Sequence, residues 1–213
     1  MPRIGLIHAM RHSPGPIAEA FARLWPEATL ANLLDDSLAA DLARAGRLDA
    51  AMARRFLTLG RYARRCGADA ILFTCSAFGR CIEAVAADLA PLPVLKPNEA
   101  MIAEALAHGR RIGLLATFAP TLASMPAEFA AADRGAVVVS RLVPGALDAL
   151  DAGDPATHDG LAAEVARGLA DCDVIALAQF SLARAAGAVA AASGRPVLTT
   201  PDSAVRRLRA LLR

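Results

Sequence analysis

The segment RIGLIHA, beginning at Arg3, recurs as RIGLLAT from Arg111, an offset of 108 residues. DAILFTCSA from Asp69 aligns in the same way with DVIALAQFS from Asp173, an offset of 104. PVLKPNEA from Pro93 aligns with PVLTTPDSA from Pro196, with one extra residue in the second copy. Three matches in one order, at nearly one offset, are the mark of an internal duplication. Any fold of this 213-residue chain must therefore be built from two copies of one half-length unit.

The character of that unit follows from its apolar runs. RIGLIHA, ATLANLL, DAILFTC and PVL are followed in the second half by RIGLLAT, AVVVSRL, DVIALA and PVL. Continuous rather than alternating apolar runs are expected of strands buried on both faces, hence of a parallel sheet with crossover helices. Between strands, Leu48, Met52, Phe56, Leu59, Ala63 and Cys66 fall on one helical stripe. In the closing stretch DSAVRRLRALLR, Asp202 and Ser203 are expected helix caps, with Val205, Leu208 and Leu212 facing inward. The expected fold is α/β: two pseudo-symmetric lobes, each a short parallel sheet flanked by helices, with the active site between them. The first lobe would comprise residues 1–96 with 200–213 and the second residues 97–199, with a hinge at Pro97 or near Gly109.

With 55% hydrophobic residues and a formal charge of +2, the chain reads as a compact soluble globule. So small a charge gives no electrostatic reason to expect a nucleic acid or a membrane surface as partner. No segment approaches the roughly 20 uninterrupted apolar residues of a membrane span, and MPRIGLIHAM lacks the features of a secretory signal. A cytoplasmic location is the default. Cys66, Cys75, Cys81 and Cys172 show no CxxC spacing, and a reducing compartment argues against disulfides.

Cys75 closes an apolar run just where a helical stretch begins. Open parallel sheets bind ligands at the carboxyl ends of their strands, and unpaired N–H groups at a helix start favour a thiolate. Gln179 stands at the matching place in the second repeat. The other three cysteines are expected to be buried as small hydrophobes. His8 and His12 flank the end of the first strand, with Arg11 between them, and supply an acid, a base or a cationic clamp for a carboxylate. A zinc site from His8, His12 and Cys75 is a weak alternative, because Pro14, Gly15 and Pro16 make this stretch a loop. Lys96 ends the fourth strand, aimed at the same cleft, although a lone lysine is more often a solvated charge. Asp35 and Asp36 serve as a cap or turn at least as readily as they would serve catalysis. No phosphate loop, GxGxxG or serine elbow is present, and no nucleotide cofactor is expected.

The duplicated halves, FTCSA after the third strand and IGLLATFAPT opening the second half, resemble the aspartate/glutamate/hydantoin racemase superfamily. The resemblance covers essentially the whole chain. It implies two pseudo-symmetric α/β lobes and no cofactor. It also implies, in the racemases, one cysteine per lobe on opposite faces of the substrate α-carbon. It places Cys75 and Ser76 at the first-lobe cysteine and its polar neighbour, and Thr117 and Thr121 at hydroxyls that hold a substrate carboxylate. The second-lobe cysteine is absent, with Gln179 in its place and Phe180 and Ser181 following it, and HAMRHS replaces the Asp-Ser of the first strand.

A glutamine amide is neither a proton donor nor a base near neutral pH, so a symmetrical two-cysteine racemisation is not expected. The expectation is a cofactor-independent isomerase or lyase of a small carboxylate. In it Cys75 is acid/base or nucleophile, and Gln179 holds a carboxylate or oxyanion. His8, Arg11, Ser76, Lys96, Thr117, Thr121 and Ser181 are the expected substrate-binding residues. The competing classes are a non-catalytic carboxylate-binding protein on the same scaffold and a metal-dependent hydrolase. A homo-oligomer is compatible with either scaffold role.

Overall fold

The computed structural model describes residues 1–213. In the first half the elements are β1 (Arg3–His8), α1 (Pro14–Leu24), β2 (Thr29–Leu34), α2 (Ser37–Ala45), α3 (Ala50–Arg65), β3 (Ala70–Phe73), α4 (Gly79–Leu89) and β4 (Val94–Leu95). Next come α5 (Glu99–His108), β5 (Arg111–Ala116), α6 (Ala119–Ala132), β6 (Val137–Leu142), α7 (Ala146–Asp151), α8 (Pro155–Ala166), β7 (Val174–Leu177), α9 (Ala186–Ser193), β8 (Val197–Thr199) and α10 (Thr200–Leu211). Short 3-10 segments cover Ser76–Phe78, Arg167–Leu169 and Phe180–Ala185.

The strands form two four-stranded sheets, ordered β2-β1-β3-β4 and β6-β5-β7-β8, and every pair is parallel. The chain divides into two compact units. A first lobe comprises residues 1–99 and 204–213, and a second comprises residues 100–203.

The two sheets repeat each other in detail. In both, the central pair is buried along its length (β1 and β3, β5 and β7) while the outer strands β2 and β6 are partly exposed. That difference explains why the central runs are the most apolar. The entry to each central pair is closed by the same two bonds. Arg3 N–H donates to Asp69 Oδ2 at 2.7 Å and Asp69 N–H to the Arg3 carbonyl at 2.8 Å. The matching distances for Arg111 and Asp173 are 2.8 and 2.7 Å. The glycine of each RIG triplet lets the covering layer approach the sheet. A Cβ on Gly5 would lie 3.2 Å from Ala63 Cβ, and one on Gly113 would lie 3.0 Å from Leu169 Cδ1.

Helix α3 shows how the local sequence sets an element. Asp49 accepts the Met52 N–H at 2.8 Å as the N-cap, and Met52, Phe56 and Ala63 are buried. Gly67, at φ +81°, turns the chain out of the helix. Cys66 sits at the C-cap and is exposed, contrary to the expectation of a buried thiol, because the helix ends one residue before it. Cys81 and Cys172 are buried. Gly60 faces α4 so closely that a Cβ there would meet Val85 Cγ1 at 2.4 Å.

The last helix also corrects an expectation. It begins at Thr200 rather than at Asp202 or Ser203, and Thr199 Oγ1 accepts the Asp202 N–H at 3.3 Å. Pro201 fits the first helical turn, where its missing N–H costs nothing. Val205 and Leu208 are fully buried. No helix in the chain is long and apolar enough to cross a membrane.

Candidate active site

In the first lobe, β1 ends at His8, beside β3, which ends at Phe73. Thr74 continues the ladder, its N–H donating to the Ile7 carbonyl at 3.0 Å, and Cys75 follows as the extended residue before Ser76–Phe78. His8 is fully buried and both its ring nitrogens are engaged, Nδ1 with Thr74 Oγ1 and Nε2 with Asn32 Oδ1, each at 2.9 Å. The Asn32 oxygen only accepts, so Nε2 carries the proton and Nδ1 accepts from the Thr74 hydroxyl. Burial lowers the His8 pKa, and the bond to Asn32 offsets only part of that shift. The neutral ring is thus a structural tie to the residue before Cys75, with neither nitrogen free for a substrate carboxylate or a metal.

Cys75 is half-buried and packs against the apolar core of its lobe, in a small crevice lined by Ile7, Leu38, Phe56, Phe73 and Phe78. Burial pushes the thiol above its ordinary value, and the Ala77 N–H draws it only part of the way back. This reverses the expectation of a helix-stabilised thiolate. The segment after Cys75 is one three-residue 3-10 turn, and three aromatic rings beside it remove the water that would solvate a negative sulfur. Burial thus favours the neutral thiol in the resting protein.

Ser76 begins that turn and is partly exposed. The charged candidates nearby are already paired. Arg11 Nε donates to Asp36 Oδ2 at 2.8 Å at the surface. Lys96 Nζ lies 2.8 Å from Glu83 Oε1 and 3.3 Å from Glu99 Oε1. Burial alone would lower the ammonium pKa, but the two carboxylates hold it above its usual value. Asp35 accepts from Arg55 Nε at 2.8 Å. Burial works against its charge, yet the Ser37 hydroxyl and the Arg55 guanidinium together keep it below the usual carboxylate value.

In the second lobe, β5 ends at Ala116 and β7 at Leu177. Ala178 N–H donates to the Leu115 carbonyl at 3.0 Å, as Thr74 does to Ile7. Gln179 then takes the backbone angles of Cys75, φ −139° and ψ 147° against −134° and 121°. Each residue precedes a 3-10 turn, so the amide occupies the thiol's place in the repeat. Its Oε1 accepts from both the N–H and the hydroxyl of Thr117, the latter at 2.9 Å. An N–H needs an acceptor, so this bond identifies the oxygen and leaves the Nε2 hydrogens to other acceptors. Thr117 spends both its donors on Gln179. Thr121 is buried in the first turn of α6, its N–H bound to the Phe118 carbonyl at 3.0 Å, and Ser181 is partly exposed in the turn after Gln179. Thr200, which escaped notice in the sequence, donates its hydroxyl to the Leu177 carbonyl at 2.8 Å and pins the end of β7.

Thr74 and Asn32 also escaped notice. The signal for Asn32 was present, because it is the one polar side chain within the apolar run LANLL. Chemically, the two lobes offer a neutral thiol that can give a proton and an amide that can donate two hydrogen bonds to an anion.

The fold is similar to several solved structures. One is a glutamate racemase from Bacillus anthracis, 14% identical over 99% of this chain and 81% of that chain, with a TM-score of 0.75. Another is allantoin racemase from Klebsiella pneumoniae, 18% identical over 100% of this chain and 88% of that chain, with a TM-score of 0.75. A third is unliganded arylmalonate decarboxylase, 21% identical over 98% of this chain and 92% of that chain, with a TM-score of 0.67. No curated protein matches the sequence. The family model for Asp/Glu/Hydantoin racemase matches residues 16–208, and the chain belongs to that family.

Proposed function

We propose that the protein is a cofactor-independent isomerase or lyase of a small carboxylate, with Cys75 as its proton-transfer residue and Gln179 as the amide that holds a carboxylate or developing oxyanion. The observation that carries this reading is the unequal pair at equivalent places in the repeat, a thiol packed against an apolar core in one lobe and an amide whose oxygen is held by Thr117 in the other. An amide is neither a general acid nor a general base near neutral pH, so only one face of the substrate carbon is served by an acid or base.

A thiol held neutral is suited to giving a proton first. In a decarboxylation, the bond from the α-carbon to one carboxyl group breaks, carbon dioxide leaves and its electron pair stays behind as an enediolate. The S–H bond of Cys75 then delivers its proton to the α-carbon, and the thiolate regains one from water. The Gln179 Nε2 hydrogens stabilise the enediolate oxygens, an interaction strongest when charge has developed. Covalent addition, by contrast, needs the thiolate beforehand, and the buried thiol disfavours it.

The test is turnover of a panel of malonates and 2-substituted carboxylates in D2O, followed by proton NMR for carbon dioxide loss and α-deuteration. Turnover that vanishes in Cys75→Ala supports the proposal, and undiminished turnover in that variant would refute it. A raised thiol pKa is equally what a non-catalytic buried cysteine has, which leaves a second reading, a carboxylate-binding protein. Panel members that bind the wild type without turnover would select it.

A further inference from the structure

Gln179 is held at its amide by Thr117, but its backbone opens the 3-10 segment Phe180–Ala185. Such a turn has poorer hydrogen-bond geometry than an α-helix, so attachments outside it add to its definition. In this lobe Phe180, Leu182 and Ala185 bury one side of the turn, and an ion pair ties the other. Arg184 Nε and Nη2 donate to the two carboxylate oxygens of Asp159 on α8, at 2.9 and 3.1 Å. Two parallel bonds fix the direction of a guanidinium as well as its place. Asp159 Oδ1 also accepts from Nδ1 of His158 at 2.8 Å. His158 is fully buried and its Nε2 meets no partner, so its only polar tie is the one to Asp159. A carboxylate only accepts, hence the His158 proton sits on Nδ1, aimed at Asp159.

The first lobe does the same job differently. Its turn, Ser76–Phe78, is held by the Phe78 ring against Phe56, with centroids 4.8 Å apart. The second-lobe turn keeps an apolar anchor, in Phe180, Leu182 and Ala185, and adds the ion pair that the first-lobe turn lacks.

We infer that Arg184 and Asp159, backed by His158, are positioning residues for Gln179. The pair sets the backbone of Phe180–Ala185 and thereby the direction in which the Gln179 hydrogens point. This rests on the reading of Gln179 as the carboxylate-holding amide.

The test uses the full chain, labelled with nitrogen-15, and malonate as probe. In the wild type, the Thr117 amide should be protected from hydrogen exchange by Gln179 Oε1, and malonate should shift the Gln179 side-chain amide resonances. In Arg184→Met, Thr117 protection and malonate affinity should each fall about tenfold, the weight of one hydrogen bond to a charged group. The amides of Ile112–Leu115 in β5 should keep their protection. Arg184→Lys, which keeps the charge without the fork, should fall between. Asp159→Asn, a milder change, should weaken both readouts in the same direction and covers the case in which Arg184→Met does not fold. Wild-type Thr117 protection and affinity in Arg184→Met, or in Asp159→Asn if that alone folds, would overturn the inference. Equal loss of protection throughout β5 would also overturn it, since that marks a general loss of stability. If malonate leaves the wild-type Gln179 resonances unmoved, the carboxylate role of Gln179 fails, while Thr117 protection still decides the anchor.

Discussion

Nδ1 of His8 lies 2.9 Å from the hydroxyl of Thr74, the residue directly before Cys75. Replacing His8 by Leu leaves the buried Thr74 hydroxyl without its partner, while exposed Asn32 turns to water. An unsatisfied buried polar group costs about 1–3 kcal/mol, so the urea midpoint of His8→Leu should drop accordingly. The histidine also sets a pH dependence. Its folded pKa lies below the unfolded value of about 6.5, so its contribution is fully present above that pH. The contribution is lost as pH falls through the lower folded value. Urea unfolding at stepped pH should show wild-type stability declining below about 6.5, and His8→Leu lacking that part of the decline. Parallel curves would refute the assignment.

The thiols should react in an order set by their surroundings. Cys66 is exposed, whereas Cys75 has a pKa raised by burial. With iodoacetamide and peptide mass spectrometry, Cys66 should be labelled first, and the Cys75 midpoint should lie above the free-thiol value of about 8.5. A Cys75 midpoint below that of Cys66 would contradict the protonated resting state.

Gln179→Glu separates the two ends of the side chain. A carboxylate still accepts from the Thr117 N–H and hydroxyl, but it replaces two donors with a negative charge facing the ligand. Affinity for a small carboxylate should fall by about 10-fold to 100-fold, while the melting temperature stays close to that of the wild type. Unchanged affinity by calorimetry would remove Gln179 from the binding role.

Two glycines give a packing control. Gly60→Ala drives a methyl group into Val85, within 2.4 Å, and should destabilise the first lobe by about 1–3 kcal/mol. Gly79→Ala meets nothing within 4 Å at a helical backbone position and should stabilise by up to about 1 kcal/mol. Thermal melts of the two variants should move in opposite directions.

The eight apolar runs and their repetition were legible because a strand buried on both faces must be apolar along its length, whatever its neighbours. The equivalence of Cys75 and Gln179 was legible for the same reason, since both sit at fixed distances from such runs. The state of the thiol was not. It depends on Phe56, Phe73 and Phe78 meeting around it, from a helix, a strand and a turn separated in sequence. The bonds of Gln179 to Thr117 and of His8 to Asn32 join residues 62 and 24 positions apart, and no periodicity encodes them. Arg184 and Asp159 were unreadable in another way, because charged residues on helical segments are mostly solvated, and only the turn between them and Gln179 makes this pair matter. Cys66 was misplaced by one residue of helix length, the usual uncertainty of a helix end.

Helix α10 begins among second-lobe residues and ends among those of the first, where Val205 and Leu208 are buried and Arg209 Nη1 donates to the Leu24 carbonyl at 2.8 Å. Residues 204–213 are synthesised after all of 100–203, so the nascent second lobe is complete before the first can close. The chain therefore leaves the ribosome with every residue of its second lobe before the closing segment of its first, so the N-terminal-first order usual for successive domains cannot be completed here.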